Sequence, residues 1–364
     1  MALEDVEGSD WASPAELRQG PSVEAVGGHE VFGWVIPPVG PGSGGHLNIF
    51  RFVRHLESKG HECVLFVYDP LAVQTPAQTA QVLREHFEPM LASVHHDFGR
   101  LEECTAIFAT GWTTAYPIQS RRPRAPIFYF VQDFEPSFYP VGTESVLAEN
   151  TYRFGFHGIT AGRWLARKLK AEFGMECDHY DFGSDFGRYH FDNPGPRRKV
   201  MFYARPVTPR RGFELGVLAL DLFHKRRPEF ELQLAGWPLT DWKLPFPFVD
   251  RGVLPLDRLN EFYNECSAAL VLSFTNFSLL PLEILASGCI PVMNDGPNNR
   301  LVSDNPFIVY SRPTPKALAG ALEELVVRPD LPDHARKASL SVEELAWSTA
   351  GDRLERIVLS ALGR

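Results

Sequence analysis

Beyond about residue 30 the chain alternates short apolar runs with amphipathic stretches, the rhythm of strand and helix. "VFGWVIPP", from Val31, predicts a strand. A turn carrying Gly40, Gly42, Gly44 and Gly45 follows. "HLNIFRFVRHLESKG" then places Leu47, Phe50, Val53 and Leu56 on one helical face, with Gly60 just past its end. "ECVLFVY" reads as a buried strand. Strand, turn, helix, strand is a βαβ unit, which implies parallel strands. "TAIFAT", "APIFYFVQD" and "HGITAG" continue the series, and the helix "RWLARKLKAEFG" closes it. His95 and His96 are expected on a helix or at its end.

The segment "FGSDFGRYHFDNPGPRRK" is polar and rich in Gly, Pro and Arg, and predicts a linker. A second alternating series follows. Its strands are "KVMFYA", "FELQLAG", a short one near "FVDRGVL", "AALVLSF", "CIPVMN" and "PFIVY". Helices are expected near 212–226, 255–265, 279–287 and 314–327. The fold class is therefore α/β: two Rossmann-like, doubly wound domains facing across a cleft. The expected limits are a mobile arm over 1–28, a first domain over 29–190 and a second over 191–345. An amphipathic C-terminal helix, 346–364, is expected to cross back to the first domain.

Composition narrows the functional classes. The 364 residues are 44% hydrophobic and 22% charged, as in an ordinary globular protein. A formal net charge of -9 argues against nucleic acid as a partner. The five cysteines are scattered without a CxxC, which suits buried free thiols in a reducing cytoplasm. No apolar run approaches the roughly 18 residues of a membrane span, and the acidic N-terminus is unlike a signal peptide. The expectation is a cytoplasmic protein, with peripheral contact at the inner face of the membrane through a lipid-linked acceptor.

Four stretches carry candidate chemistry. The glycine turn, with Gly44 and Gly45 before a helix, suits either a plain mobile turn or backbone N–H contact with an anion, although it lacks the GxGxxG spacing. "YARPVTPRRGFELG" sets Arg205, Arg210 and Arg211 at a strand-to-helix turn, where guanidinium forks suit a diphosphate or simply form a solvated basic surface. "SFTNFSLLPLEILASGCIPVM" begins a helix near Leu279. The Leu279 and Leu280 amides there suit a phosphate, and Glu283 one turn inward suits a ribose hydroxyl. "YFVQDFEPSFYP" puts Asp133 and Glu135 after a buried strand, among the aromatics Phe134, Phe138 and Tyr139. That loop suits either carbohydrate stacking or plain aromatic packing with solvated acids. No Asp-any-Asp motif appears, so no metal is expected at a sugar diphosphate. "DFG" at Asp181 has no accompanying kinase glycine loop, VAIK or HRD run.

Over about residues 30–362 the chain resembles the retaining glycosyltransferases of family 4, which have the GT-B fold. The resemblance rests on "GSGGH", "ARPVTPRRG" and "TNFSLLPLEILASGCIPV". The last is similar to the family's Glu-any-Phe-Gly-Leu-x-x-x-Glu signature, with Glu283 as its second Glu. "FVQDFEPSFYP" and "AENTYRFGFHGITAGRWLA" resemble WsaF-type rhamnosyltransferases. The resemblance implies a nucleotide-sugar donor, dTDP-β-L-rhamnose, and a glycan or lipid-linked saccharide acceptor in cell-surface polysaccharide synthesis. It implies no cofactor. It makes Asp133, Arg205, Arg211 and Glu283 the catalytic candidates. Donor contacts would come from Gly44, Gly45, Thr275, Phe277, Ser278, Leu279 and Leu280 as well as Arg205, Arg211 and Glu283. Two departures stand out: Thr275 occupies the place of the first acid, and Arg211 that of a lysine. Two other readings remain, a nucleotide-sugar epimerase of the same architecture and a non-catalytic carbohydrate- or nucleotide-binding protein.

Overall fold

A computed structural model describes residues 1–11 and 29–364. The chain divides into two compact units, Met1–Asp181 with Ser348–Arg364, and Phe182–Trp347.

The first unit is built on a seven-stranded sheet. Its strands are β1 (Val31–Ile36), β2 (Glu62–Val67), β3 (Ser93–His95), β4 (Ala106–Ala109), β5 (Ile127–Val131), β6 (His157–Ala161) and β7 (Cys177–Tyr180). Their order is β3-β2-β1-β4-β5-β6-β7, with every pairing parallel. A parallel sheet covered on both faces needs strands that are apolar throughout. The inner strands meet that need: Trp34, Phe108 and Phe130 are fully buried, and Trp34 stacks on Phe108 at 4.1 Å. The chain winds outward from β1 to β3, then jumps to β4 on the other side. The switch in direction therefore lies between β1 and β4.

The second unit repeats the plan with six strands: β8 (Lys199–Tyr203), β9 (Glu231–Ala235), β10 (Val249–Gly252), β11 (Cys266–Val271), β12 (Ile290–Asn294) and β13 (Val309–Ser311). The order is β10-β9-β8-β11-β12-β13, again all parallel. Its switch point lies between β8 and β11.

Several expectations change. His95 is in β3, an edge strand, and not on a helix. The boundary falls at 181/182 instead of 190/191, because the polar segment before β8 is fastened to the second unit. There the Asn264 side chain accepts from the Asp192 and Asn193 amides and donates to the His190 carbonyl. The buried Arg197 guanidinium holds the carbonyls of Asn193, Cys266 and Ser287 in the same place. The second boundary falls at 347/348. The arm expected over 1–28 starts with a helix, Leu3–Glu7, whose buried Asp5 accepts from Tyr68, Ser120 and Arg121. The rest of that arm, 12–28, lies outside the described residues.

The helix Trp347–Ala361 lies against the first unit through Leu354 and Val358, which are fully buried. Its Gly351 passes under the His55 ring, so closely that a Cβ would sit 2.3 Å from the ring. Asp352 and Glu355 accept from His55 and His61 at 3.0 and 2.9 Å. All five cysteines are free thiols, and burial pushes each one's pKa up.

Candidate functional site

At the switch point of the second unit, the loops after β8, β11 and β12 leave neighbouring strands at the same edge. After β8, Arg205 is half-buried. Its Nη1 reaches the Tyr203 hydroxyl at 3.4 Å, and its Nε is buried without a hydrogen-bond partner among the described residues. A short turn, Pro209–Arg211, then leads to Gly212 at φ +59. A side chain there would meet the Phe274 ring at 2.6 Å, so glycine is needed both for the backbone and for the close approach. The turn directs Arg211 toward the β11 loop, where its Nη1 donates to Ser273 Oγ at 2.8 Å.

The β11 loop is held from within. Ser273 Oγ donates to the Asn276 carbonyl at 2.6 Å, and Phe274 N donates to the Arg210 carbonyl at 3.0 Å. Thr275 is 2% exposed, yet among the described residues its hydroxyl has no hydrogen-bond partner, and neither has the Ser278 hydroxyl. The following helix, Leu280–Ala286, is short. Leu279 stands at its cap position without a side-chain cap, and Pro281 donates nothing, so the Leu279 and Leu280 amides are what its start offers. Glu283 is half-buried one turn in and raises the pKa of the buried Tyr263, whose shift burial dominates.

Arg205, Arg211, Thr275, Ser278, Leu279, Leu280 and Glu283 thus gather at one sheet edge. Phe277 does not present a surface. It is 2% exposed, with its ring 5.9 Å from that of Phe182. The exposed aromatic of this loop is Phe274, which sequence reasoning passed over. Its neighbour Gly212 was the available signal.

In the first unit, Gly44 and Gly45 are not in the turn. They open the helix Gly44–Ser58, which Ser43 caps by accepting from His46 N. Gly42 is the turn residue, at φ +68. The turn is held from below by His46, whose ring bonds Ser43 Oγ and the Pro37 carbonyl; burial lowers its pKa. Asn48, 3% exposed, donates to Gln132 and Tyr180, and Gln132 donates to the Gly45 carbonyl. Glycine turn and β5 loop are thereby joined.

Asp133 is half-buried in that β5 loop, and its Oδ1 accepts from Phe134 N at 2.8 Å. Glu135, expected as a solvated acid or sugar contact, is buried. It accepts from Trp112 N at 2.7 Å, at the start of the helix Trp112–Arg121, and from the Tyr129 hydroxyl at 3.2 Å. Burial pushes its pKa from 4.5 up to about 7, with Asp133 adding to the rise. The aromatics of this loop are partly engaged: Phe134 stacks on Tyr152 and lies under Lys168, and Tyr139 accepts from Trp112 Nε1.

Among the described residues, one group of three has metal-ligand spacing: His55, Asp352 and Glu355, with ligand atoms within 4.8 Å of one another. Lys59 Nζ already lies 2.7 Å from Asp352 Oδ1, and His61 bonds Glu355, so these carboxylates have their counter-charges and donors. A cavity of about 480 Å³ opens beside the amino ends of β8 and β11, lined by Asp192, Asp257, Glu261 and Glu265 among others. Its carboxylates suit no diphosphate. The arginine-lined carboxyl edge is the better candidate on charge.

Known proteins supply independent comparisons. Residues 198–323 match the WsaF C-terminal domain, and residues 100–161 match the WsaF N-terminal domain. The O-antigen biosynthesis protein RfbC of Myxococcus xanthus is 32% identical over 98% of this chain, which spans 29% of that relative's length. Among solved structures, Anabaena HepE, crystallised with UDP and glucose, superposes with a TM-score of 0.70 at 14% identity, covering 91% of this chain and 100% of that one. Sucrose-phosphate synthase of Thermosynechococcus elongatus gives 0.68 at 12% identity, covering 92% and 100%. The fold is GT-B.

Proposed function

We propose that this chain, whose sequence matches the N- and C-terminal domains of WsaF, is a glycosyltransferase of GT-B fold that moves L-rhamnose from dTDP-β-L-rhamnose onto a hydroxyl of a glycan or lipid-linked saccharide, with retention, in cell-surface polysaccharide synthesis. One observation carries the reading. Arg205 and Arg211 stand at the second unit's switch point beside a loop whose Thr275 and Ser278 hydroxyls no group among the described residues satisfies. Unmet buried polar groups cost about 1–3 kcal/mol each, so a hydroxyl- and phosphate-rich ligand is the chemistry that repays them. HepE, in the same fold, holds UDP and glucose, which supports a nucleotide-sugar donor here.

In this reading Arg205, Arg211 and the Leu279 and Leu280 amides receive the diphosphate, and Glu283 accepts from the ribose. The main task is to stabilise charge as the diphosphate leaves. The bond from the anomeric carbon to the phosphate oxygen breaks, and the acceptor oxygen bonds to that carbon on the same face. The acceptor proton passes to the departing phosphate oxygen. Asp133 orients acceptor or sugar and makes no covalent attack. Thr275, in place of an acid, suits a 6-deoxy sugar, whose hydroxyl pattern differs. The arginines supply the positive charge, and no metal is required. The protein acts in the cytoplasm, peripherally at the membrane; among the described residues no helix is long and apolar enough to cross one.

The test is to incubate the protein separately with dTDP-rhamnose, GDP-mannose and UDP-glucose beside rhamnosylated acceptors, reading linkage by NMR. A β-L-rhamnoside is expected. Transfer from only GDP-mannose or UDP-glucose overturns the donor, and an α-L-rhamnoside overturns retention.

A further inference from the structure

The loop after β12 holds three buried asparagines that the reading above does not use: Asn294, Asn298 and Asn299 are 2%, 8% and 0% exposed. Their side-chain amides converge on a single atom. The Ser273 carbonyl oxygen accepts from Asn294 Nδ2 at 2.8 Å, Asn298 Nδ2 at 2.9 Å and Asn299 Nδ2 at 3.2 Å. A carbonyl oxygen has two lone pairs, so three donors saturate it. Asn294 also takes the Ser273 N–H on its Oδ1 at 2.8 Å, gripping both main-chain groups of one residue. Asn299 bonds the Asn294 carbonyl at 2.8 Å, which ties the three together.

Three buried amides are an expensive way to fill space, since apolar side chains would do so without desolvation. What they fix is informative. Ser273 is fully buried, and its remaining group, Oγ, is the acceptor of Arg211 Nη1 at 2.8 Å. The same hydroxyl donates to the Asn276 carbonyl and so sets the turn that presents Thr275 and Ser278. A guanidinium has five donors in a rigid fork, so holding one of them orients the rest.

We propose that Asn294, Asn298 and Asn299 are positioning residues that act through Ser273 to aim Arg211 at the donor diphosphate. The inference rests on the donor-site reading. The triad is built into β12 and the loop after it, so Arg211 is held in its binding direction before the ligand arrives. Preorganisation of this kind shows as affinity, because less ordering remains to be done on binding.

The test is a thermodynamic cycle read by calorimetry with thymidine diphosphate and with UDP, using thymidine as the control without phosphate. Ser273→Ala and Asn298→Ala are made in the wild-type and the Arg211→Ala backgrounds, and circular dichroism checks each fold. Ser273→Ala deletes the link between triad and arginine together with the bond to the Asn276 carbonyl, and stands in if Asn298→Ala does not fold. Each is expected to weaken diphosphate binding about tenfold, the worth of one net hydrogen bond. Neither should weaken it further once Arg211 is gone, and thymidine binding should not change. Losses that add fully to that of Arg211→Ala, or equal losses for thymidine, overturn the inference while leaving the donor site standing. Failure of the wild-type protein to bind either diphosphate overturns the donor-site reading and this inference with it.

Discussion

At the scale of single residues, two side chains carry opposite lessons. Arg211 is where its spacing placed it, at a strand-to-helix turn, and Ser273 holds one of its donors. Arg211→Ala should weaken donor binding by about 1.5–3 kcal/mol, the range for a charge-assisted bond. Calorimetry with thymidine diphosphate checks this, and unchanged affinity removes Arg211 from the site. Glu135 looked like an exposed acid beside Asp133, and nothing local marks it as buried. Burial raises its folded pKa from 4.5 to about 7. Between those values the native state binds more protons than the unfolded one. Its contribution is therefore full below about pH 4.5 and is lost as pH rises through about 7, to the extent of about 3 kcal/mol. Glu135→Gln, which keeps an oxygen for Trp112 N, should flatten that part of the pH dependence. Denaturant titrations at pH 5 and pH 8 measure it, and equal slopes for both proteins refute it.

At the scale of elements, legibility followed burial. The inner strands are apolar runs because helices cover both faces, and the sequence displayed them. β3 and β7 went unseen. They are the two edges of the first sheet, only partly buried, and "SVH" and "CDHY" carry no apolar run. β10 and β13, the edges of the second sheet, were legible only as short segments. Gly351 is another element-scale feature. Glycine inside a helix is costly, by about 1 kcal/mol against alanine, and local propensity gives no reason for it. The reason is the His55 ring, 2.3 Å from where a Cβ would stand. Gly351→Ala should therefore destabilise the first unit by about 1–3 kcal/mol, as overpacking does, despite the gain in propensity. A raised melting temperature would show that the helices part freely.

At the scale of the whole molecule, the last residues complete the first unit. Leu354 and Val358 are fully buried there, and Arg353 donates to the His179 carbonyl. A chain ending at Trp347 should lose about 3–6 kcal/mol of first-unit stability from those two side chains alone, at roughly 1.5–3 kcal/mol each. Calorimetric scanning should show the first unit's transition falling while the second unit's stays. A fall of both together would mean that the units melt as one. Activity is a property of the whole chain as well. On the proposed reading, in which arginines supply the charge at the diphosphate, it should survive EDTA; loss on chelation with rescue by magnesium or manganese reverses that assignment.

The sequence by itself determined the βα alternation, the two sheets of the GT-B fold and the arginine and Glu283 motifs on which the proposed function rests. Those features are periodic or local, and periodicity is written in neighbouring residues. Tertiary structure alone decided that the polar segment from Phe182 is fastened to the second unit, that Glu135 is buried and that Phe277 is core. It also decided that "NDGPNN" closes three amides on the Ser273 carbonyl. Such arrangements depend on which strands lie side by side. β11 and β12 lie adjacent, and adjacency is set when the sheet forms, by contacts no single stretch of chain contains.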